Sequence, residues 1–106
     1  MAITTQFLSQ CTDEQINKGV AWLEISKSAL LGKDCEVKLF LMLGMYDPCS
    51  DTDFSWPIIF GNDISIQADH IGNGVWFASD LMDMTIANKN PLRAAMEVYI
   101  LMSVSK

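Results

Sequence analysis

Positive charge is missing from the middle of this sequence: no Lys or Arg occurs between Lys38 and Lys89. Seven Lys and Arg stand against thirteen Asp and Glu overall, a formal net charge of −6. Phosphate backbones and anionic bilayers are held by excess cations, so this balance excludes nonspecific nucleic-acid binding and adhesion to such membranes. The most apolar stretch, residues 37–46, contains Lys38 and is too short to span a bilayer. The first six residues lack the basic region and apolar run of a secretion signal. Cysteine is scarce: Cys11, Cys35 and Cys49 match no zinc or redox spacing, and an odd number predicts reduced thiols in a cytosol. There is no glycine-rich phosphate loop, since Gly72, Asn73 and Gly74 fall between predicted strands. No cofactor is expected from these residues.

Half the residues are apolar and only 19% are charged, enough for a folded core in one domain, residues 1–106. The C-terminal segment organises the rest. Asn90 is a good helix cap and Pro91 suits the first helical position. Leu92, Ala95, Met96 and Tyr99 then recur at helical spacing, and only Arg93, Glu97 and Ser103 interrupt the apolar surface. A helix apolar nearly all round must be buried on most faces.

Earlier in the chain, residues 1–11 show no period and read as an irregular lead-in. Thr12 and Gln15 form a capping box for a helix over residues 13–24, where Gly19 predicts a close approach by another element. Residues 25–35 read as a loop or a short extra segment. Residues 36–43 alternate and then turn uniformly apolar, which predicts a strand, with a buried helix as the competing reading. Gly44 ends that element. A short helix is expected around residues 56–60, capped by Ser55 with Pro57 in its first turn; a start at Ser50 would put a kink at Pro57. Gly61 and Asn62 are its expected left-handed terminator. Residues 64–67 and 75–78 predict a β-hairpin, and residues 81–89 are mixed. The expected fold is therefore α+β: a small antiparallel sheet with a hairpin near residues 64–78, packed by a buried C-terminal helix and an N-terminal helix.

Chemistry-bearing patterns are few. Asp47, Cys49, Asp51 and Asp53 alternate as in a calcium loop, but position six is Thr52 rather than Gly and position twelve is Ile58 rather than Glu. His70 is the only histidine, follows Asp69, and has no serine in a nucleophile-elbow pattern to serve. Cys49 has no basic residue within ten positions, and Asp47 and Asp51 would raise its pKa. The strongest feature is charge segregation. The cation-free stretch holds Asp47, Asp51, Asp53, Asp63, Asp69, Asp80 and Asp83, all aspartates. Short acidic side chains at turns would present one fixed negative face that docks on a basic protein groove, raising association rate and specificity more than affinity.

The sequence also resembles the NinX-like family of small bacteriophage proteins. The matching residues are Glu14, Gln15, Ile16, Asn17, Val20 and Ala21; then Tyr46, Asp47, Pro48 and Cys49; then Asp53 through Ile59, with Ile64 and Ser65. Asn90, Pro91, Leu92, Arg93, Ala94, Ala95 and Met96 are the most specific part. Residues 25–43 depart from the shorter family pattern. The resemblance implies a phage accessory protein acting in the host bacterial cytoplasm, without supplying an active site. By analogy with small acidic phage inhibitors such as anti-CRISPR proteins, it implies a non-catalytic binder that blocks a host defence complex with a basic surface, and binds neither nucleic acid nor membrane directly. Two alternatives stand beside it: a small hydrolase using Asp69, His70 or Cys49, and a regulatory homodimer formed through excess apolar surface.

Overall fold

A computed structural model describes residues 3–29, 35–69, 74–81 and 84–104. The chain folds as five helices and a three-stranded antiparallel sheet among these residues. The elements are α1 (Thr5–Ser9), α2 (Asp13–Ala29), α3 (Cys35–Met42), α4 (Thr52–Gly61), β1 (Ser65–Ala68), β2 (Trp76–Ser79), β3 (Thr85–Asn88) and α5 (Pro91–Val104). The α+β architecture matches the expectation from sequence, including the hairpin of β1 and β2.

Helix α5 is the hub. It packs against α1, α2, α4 and all three strands, and every residue from 93 to 101 is buried. Asn90 starts it as expected, its side-chain oxygen accepting from the Leu92 and Arg93 amides at 3.0 and 3.3 Å. The sheet meets α5 through one row: Ile66 pairs with Ala78, and Ala78 with Ile86. Ala78 is fully buried at the centre of that row, where a methyl group lets the helix come close. The neighbouring row, Gln67, Phe77 and Ala87, lies exposed on the other face, as strand alternation requires.

On the opposite side, α2 crosses α5 at Gly19. A Cβ there would lie 3.3 Å from Ile100 Cδ1, so the glycine serves the close approach anticipated for it. The capping box is formed: Thr12 N donates to Gln15 Oε1 at 2.9 Å and Gln15 N to Thr12 Oγ1 at 3.1 Å. Helix α2 runs past residue 24, where a loop was expected. Ser26, a turn-former in sequence, instead donates its hydroxyl to the Trp22 carbonyl one turn back, which accommodates it within a helix. The lead-in is not irregular either, because Thr4 caps α1 and accepts from Phe7 N at 3.1 Å.

The stretch read as a strand, residues 36–43, is helical: it lies in α3, with Leu43 in the turn that follows. Val37, Phe40 and Leu41 are its half-buried residues, a helical stripe of spacing three and four that the uniformly apolar sequence hid. The helix is not buried, since Leu39, Met42 and Leu43 are 56%, 85% and 61% exposed. Gly44 ends it as expected. At φ 71° the glycine donates to Leu41 O, and Met45 N donates to Phe40 O, which together make a Schellman closure.

Helix α4 begins earlier than expected. Asp51, not Ser55, is its cap and accepts from Asp53 N at 2.9 Å. Pro57 therefore lies inside the helix rather than in its first turn. The amide hydrogen it lacks would have served the Asp53 carbonyl, and both residues are exposed, so water can serve it instead. The terminator also differs. The left-handed residue is Asp63, at φ 55°, and neither Gly61 nor Asn62 has positive φ. Asp63 N donates to Phe60 O and Ile64 N to Ile59 O, a second Schellman closure, with Ile59 and Ile64 both buried beside it.

Candidate functional site

Three segments distant in sequence meet in space around the N-terminus of α5. Asn17 of α2 is buried and donates its side-chain amide to Asp47 Oδ1 at 2.8 Å, while its carbonyl accepts from Cys49 N at 3.0 Å. The Asn90 amide donates to Cys49 O at 2.6 Å. The buried turn of Pro48 and Cys49 is thus clamped between the cap of α5 and the face of α2.

Arg93 lies one turn into α5. Its Nε donates to Glu97 Oε2 at 2.8 Å and its Nη1 to Asp13 Oδ1 at 2.6 Å. Its Nη2 donates to the carbonyls of Leu8 and Cys11 at 2.9 and 2.7 Å. Burial works against the guanidinium charge, but the bonds to Asp13 and Glu97 outweigh it and hold Arg93 above its ordinary value. Burial raises the Glu97 carboxyl, and the Arg93 bond and charge pull it back only in part. This is the fastening of the fold: every contact is internal, and the Arg93 side chain is 8% exposed.

Cys49 is fully buried. Burial, then the Asp13 charge, pushes its thiol up to about 12, the opposite of what a nucleophile requires. Asp69, at the end of β1, is partly buried and its amide donates to Val75 O. His70 lies outside the described residues. No group of three or more His, Cys, Asp or Glu is placed to hold a metal ion among the described residues.

The structure distributes the predicted aspartates over three places. Asp47, Asp51 and Asp53 gather around the start of α4. Asp63 and Asp80 flank one end of the sheet, next to the paired Ser65 and Ser79. Asp69 lies just past the other end of β1, roughly 15 Å away at about 3.3 Å per strand residue. Asp83 lies outside the described residues. Three of the carboxylates have internal tasks: Asp47 accepts from Asn17, Asp51 caps α4, and Asp80 accepts from Met84 N at 2.9 Å. Asp53 and Asp63 are exposed.

Beside the Asp53 group lies a feature that sequence reading missed. A cleft of about 300 Å³ opens between α2, α3 and α4, lined by Glu24, Glu36, Asp53, Phe40, Tyr46 and Phe54, with Val37 and Pro57. Phe54 is its central ring, 5.2 Å from Phe40 edge-on and 4.9 Å from Tyr46. Glu24 accepts from the Tyr99 hydroxyl at 2.8 Å. Burial, reinforced by the charge of Glu24, raises the phenols of both Tyr46 and Tyr99. The reading of residues 36–43 as a strand concealed this cleft: a helix gathers Glu36, Val37 and Phe40 within one turn, whereas a strand sends Val37 to the opposite face and sets Glu36 and Phe40 about 13 Å apart. A second cleft, about 250 Å³, lies on the other side of Tyr46 and is lined by Glu14, Asn17, Lys18 and Asp47.

No family model, curated protein or solved structure matches the chain. No helix among the described residues is long and apolar enough to cross a membrane.

Proposed function

We propose that the chain is a phage-encoded, non-catalytic binding protein that inhibits a host defence complex by docking carboxylates on a basic surface, in the manner of an anti-CRISPR protein. The observation that carries this reading is the cation-free stretch, residues 39–88, with its seven aspartates. The resemblance to NinX-like phage proteins supports the biological setting, the bacterial cytoplasm. The docking surface is centred on Asp53, where Asp47 and Asp51 lie at the same helix end. Asp63, Asp69, Asp80 and Asp83 add long-range attraction that speeds encounter without direct contact.

Charge reversal tests it, with one restriction from the fold. Asp51 caps α4, so Asp51→Lys would also cost about 1 kcal/mol of helix stability. The combination Asp51→Asn with Asp53→Lys keeps a capping oxygen and changes the local charge. In a strain whose CRISPR system restricts a phage, expressing the chain should raise plating efficiency, and this variant should abolish the rise while melting like the parent. Pull-down of the defence complex should weaken as salt increases. Equal protection by parent and variant, or salt-independent capture, would refute the charged surface.

The exposed apolar side chains at the end of α3, Leu39 and Met42 with Leu43 just past it, favour a second reading, a regulatory homodimer. A monomeric sedimentation coefficient at high concentration excludes it.

A further inference from the structure

We propose that the cleft between α2, α3 and α4 is an anchoring site for an arginine side chain of a basic protein partner, with Phe40, Tyr46 and Phe54 receiving the planar guanidinium and Glu24, Glu36 and Asp53 neutralising it. This deepens the binding-protein reading and rests on it for the identity of the partner as a protein.

Three physical requirements of such an anchor are met together. The first is room: about 300 Å³ accommodates a side chain of arginine size. The second is an apolar, π-rich floor. Phe40 and Phe54 are both half-buried, so their rings are partly free to receive a ligand, and Phe54 contacts both other rings. A cation over an aromatic face is attracted by the ring quadrupole, and arginine adds planar stacking to that attraction. The third is charge. Three carboxylates from three different helices line the cleft, and among the described residues no lysine or arginine does. They are not gathered as metal ligands, so they suit an extended, delocalised cation better than a point charge.

The chain already uses the same chemistry next door. The Lys27 ammonium sits 4.3 Å from the Tyr99 ring centre, and that ring's hydroxyl is bonded to Glu24. One side of Glu24 therefore supports an internal cation on an aromatic ring. Its cleft side offers a carboxylate beside aromatic rings to an external one. Arginine is preferred over lysine because the floor is built of ring faces and edges, which match a flat fork of donors rather than a hydrated ammonium.

The test uses the whole chain and two small probes, Nα-acetyl-arginine methylamide and its uncharged isostere Nα-acetyl-citrulline methylamide. Ring-proton resonances of Phe40, Tyr46 and Phe54 are followed by NMR through a titration into the millimolar range. The arginine probe should shift all three rings saturably, and citrulline should shift none. Glu36→Gln, an exposed position, should weaken the midpoint about fivefold; Phe40→Leu should do the same and, where it perturbs folding, Glu36→Gln decides alone. Shifts of equal size with citrulline, shifts mapping away from these rings, or an unchanged midpoint in Glu36→Gln would overturn the assignment. Neither variant touches the predicted aspartates. Probe binding that survives failure of the plating assay therefore leaves the cleft standing and removes only the defence-inhibitor reading. Protection without probe binding does the reverse.

Discussion

Helices α3 and α5 look alike as sequence and end in opposite circumstances. Each is apolar almost all round. Helix α5 is enclosed by three helices and the sheet, so that nine consecutive residues, Arg93 through Leu101, are buried. Helix α3 touches chiefly α2, reaches α4 through Phe40 and Phe54, and leaves Met42 85% exposed. Hydrophobicity states that a segment gains by being covered. Which segment is covered depends on connectivity, since the sheet and α2 together offer a single slot between them and α5 occupies it. The uncovered helix bears instead on a cleft with aromatic walls, where partial exposure is what a binding surface needs.

The contrast is broken most severely at Arg93. The buried helix tolerates a charge only because every side of the guanidinium has a partner. Arg93→Met would strand the Glu97 carboxyl without its partner in the interior and take the guanidinium donors from the Leu8 and Cys11 carbonyls, of which Leu8 keeps the Cys11 amide. A loss of about 3–5 kcal/mol is expected in urea denaturation, enough to unfold a small domain at moderate temperature. Lys18, which bonds Glu14 at 3.3 Å across an exposed turn of α2, is the control, and Lys18→Ala should cost well under about 1 kcal/mol.

A matched pair of truncations sharpens the same difference. Met96 is fully buried in α5 and Met42 is exposed on α3. Met96→Ala should cost about 2–5 kcal/mol through lost transfer energy and the cavity left behind. Met42→Ala should stay within about 0.5 kcal/mol of the parent. Equal losses would mean that α3 is covered in solution, which is the homodimer reading, and the Met42 effect would then depend on protein concentration.

What sequence could and could not reveal follows the same division. Local devices were legible: the Thr12 and Gln15 capping box, the Asn90 and Pro91 start of α5, and the close contact at Gly19 each depend on neighbours within a turn or on one missing side chain. The role of Arg93 was not, because its partners Asp13 and Leu8 lie 80 and 85 positions away. In sequence it is merely an interruption of an apolar surface. The acidic character of the middle was legible as composition. Its division among three places was not, because that depends on where α4 and the strands end. The cleft was hidden by one error of period over residues 36–43, since a strand would hold Glu36 and Phe40 about 13 Å apart and turn Val37 to the opposite face.

Titration separates the buried charge from the exposed ones. The Glu97 carboxyl is raised by burial, so folding is most favoured below the ordinary carboxylate range, and that contribution is lost as pH rises through the raised value. Glu97→Gln keeps an acceptor for Arg93 Nε and cannot ionise. Whatever constant cost the amide carries, the variant should gain on the parent across that window. Urea midpoints between about pH 4 and about pH 8 measure it. Parallel curves would show that Glu97 titrates at its ordinary value.

The smallest expected effects lie where α3 and α4 end, and there the two helices differ by one side chain. Both close with the same pair of amide-to-carbonyl bonds, α3 with Gly44 at φ 71° and α4 with Asp63 at φ 55°. A Cβ in the left-handed region costs about 1 kcal/mol, a cost glycine escapes. Gly44→Ala should therefore destabilise by about 1 kcal/mol even though no atom lies within 4 Å of the new methyl group, so the loss cannot come from a clash. Asp63→Gly should do the opposite and stabilise by about 0.5–1 kcal/mol, although glycine also gains entropy in the unfolded chain. Opposite signs at two equivalent positions isolate the backbone term from packing. Asp63→Gly also removes one exposed carboxylate, so if Asp63 acts only by long-range attraction, association should slow slightly while dissociation stays unchanged.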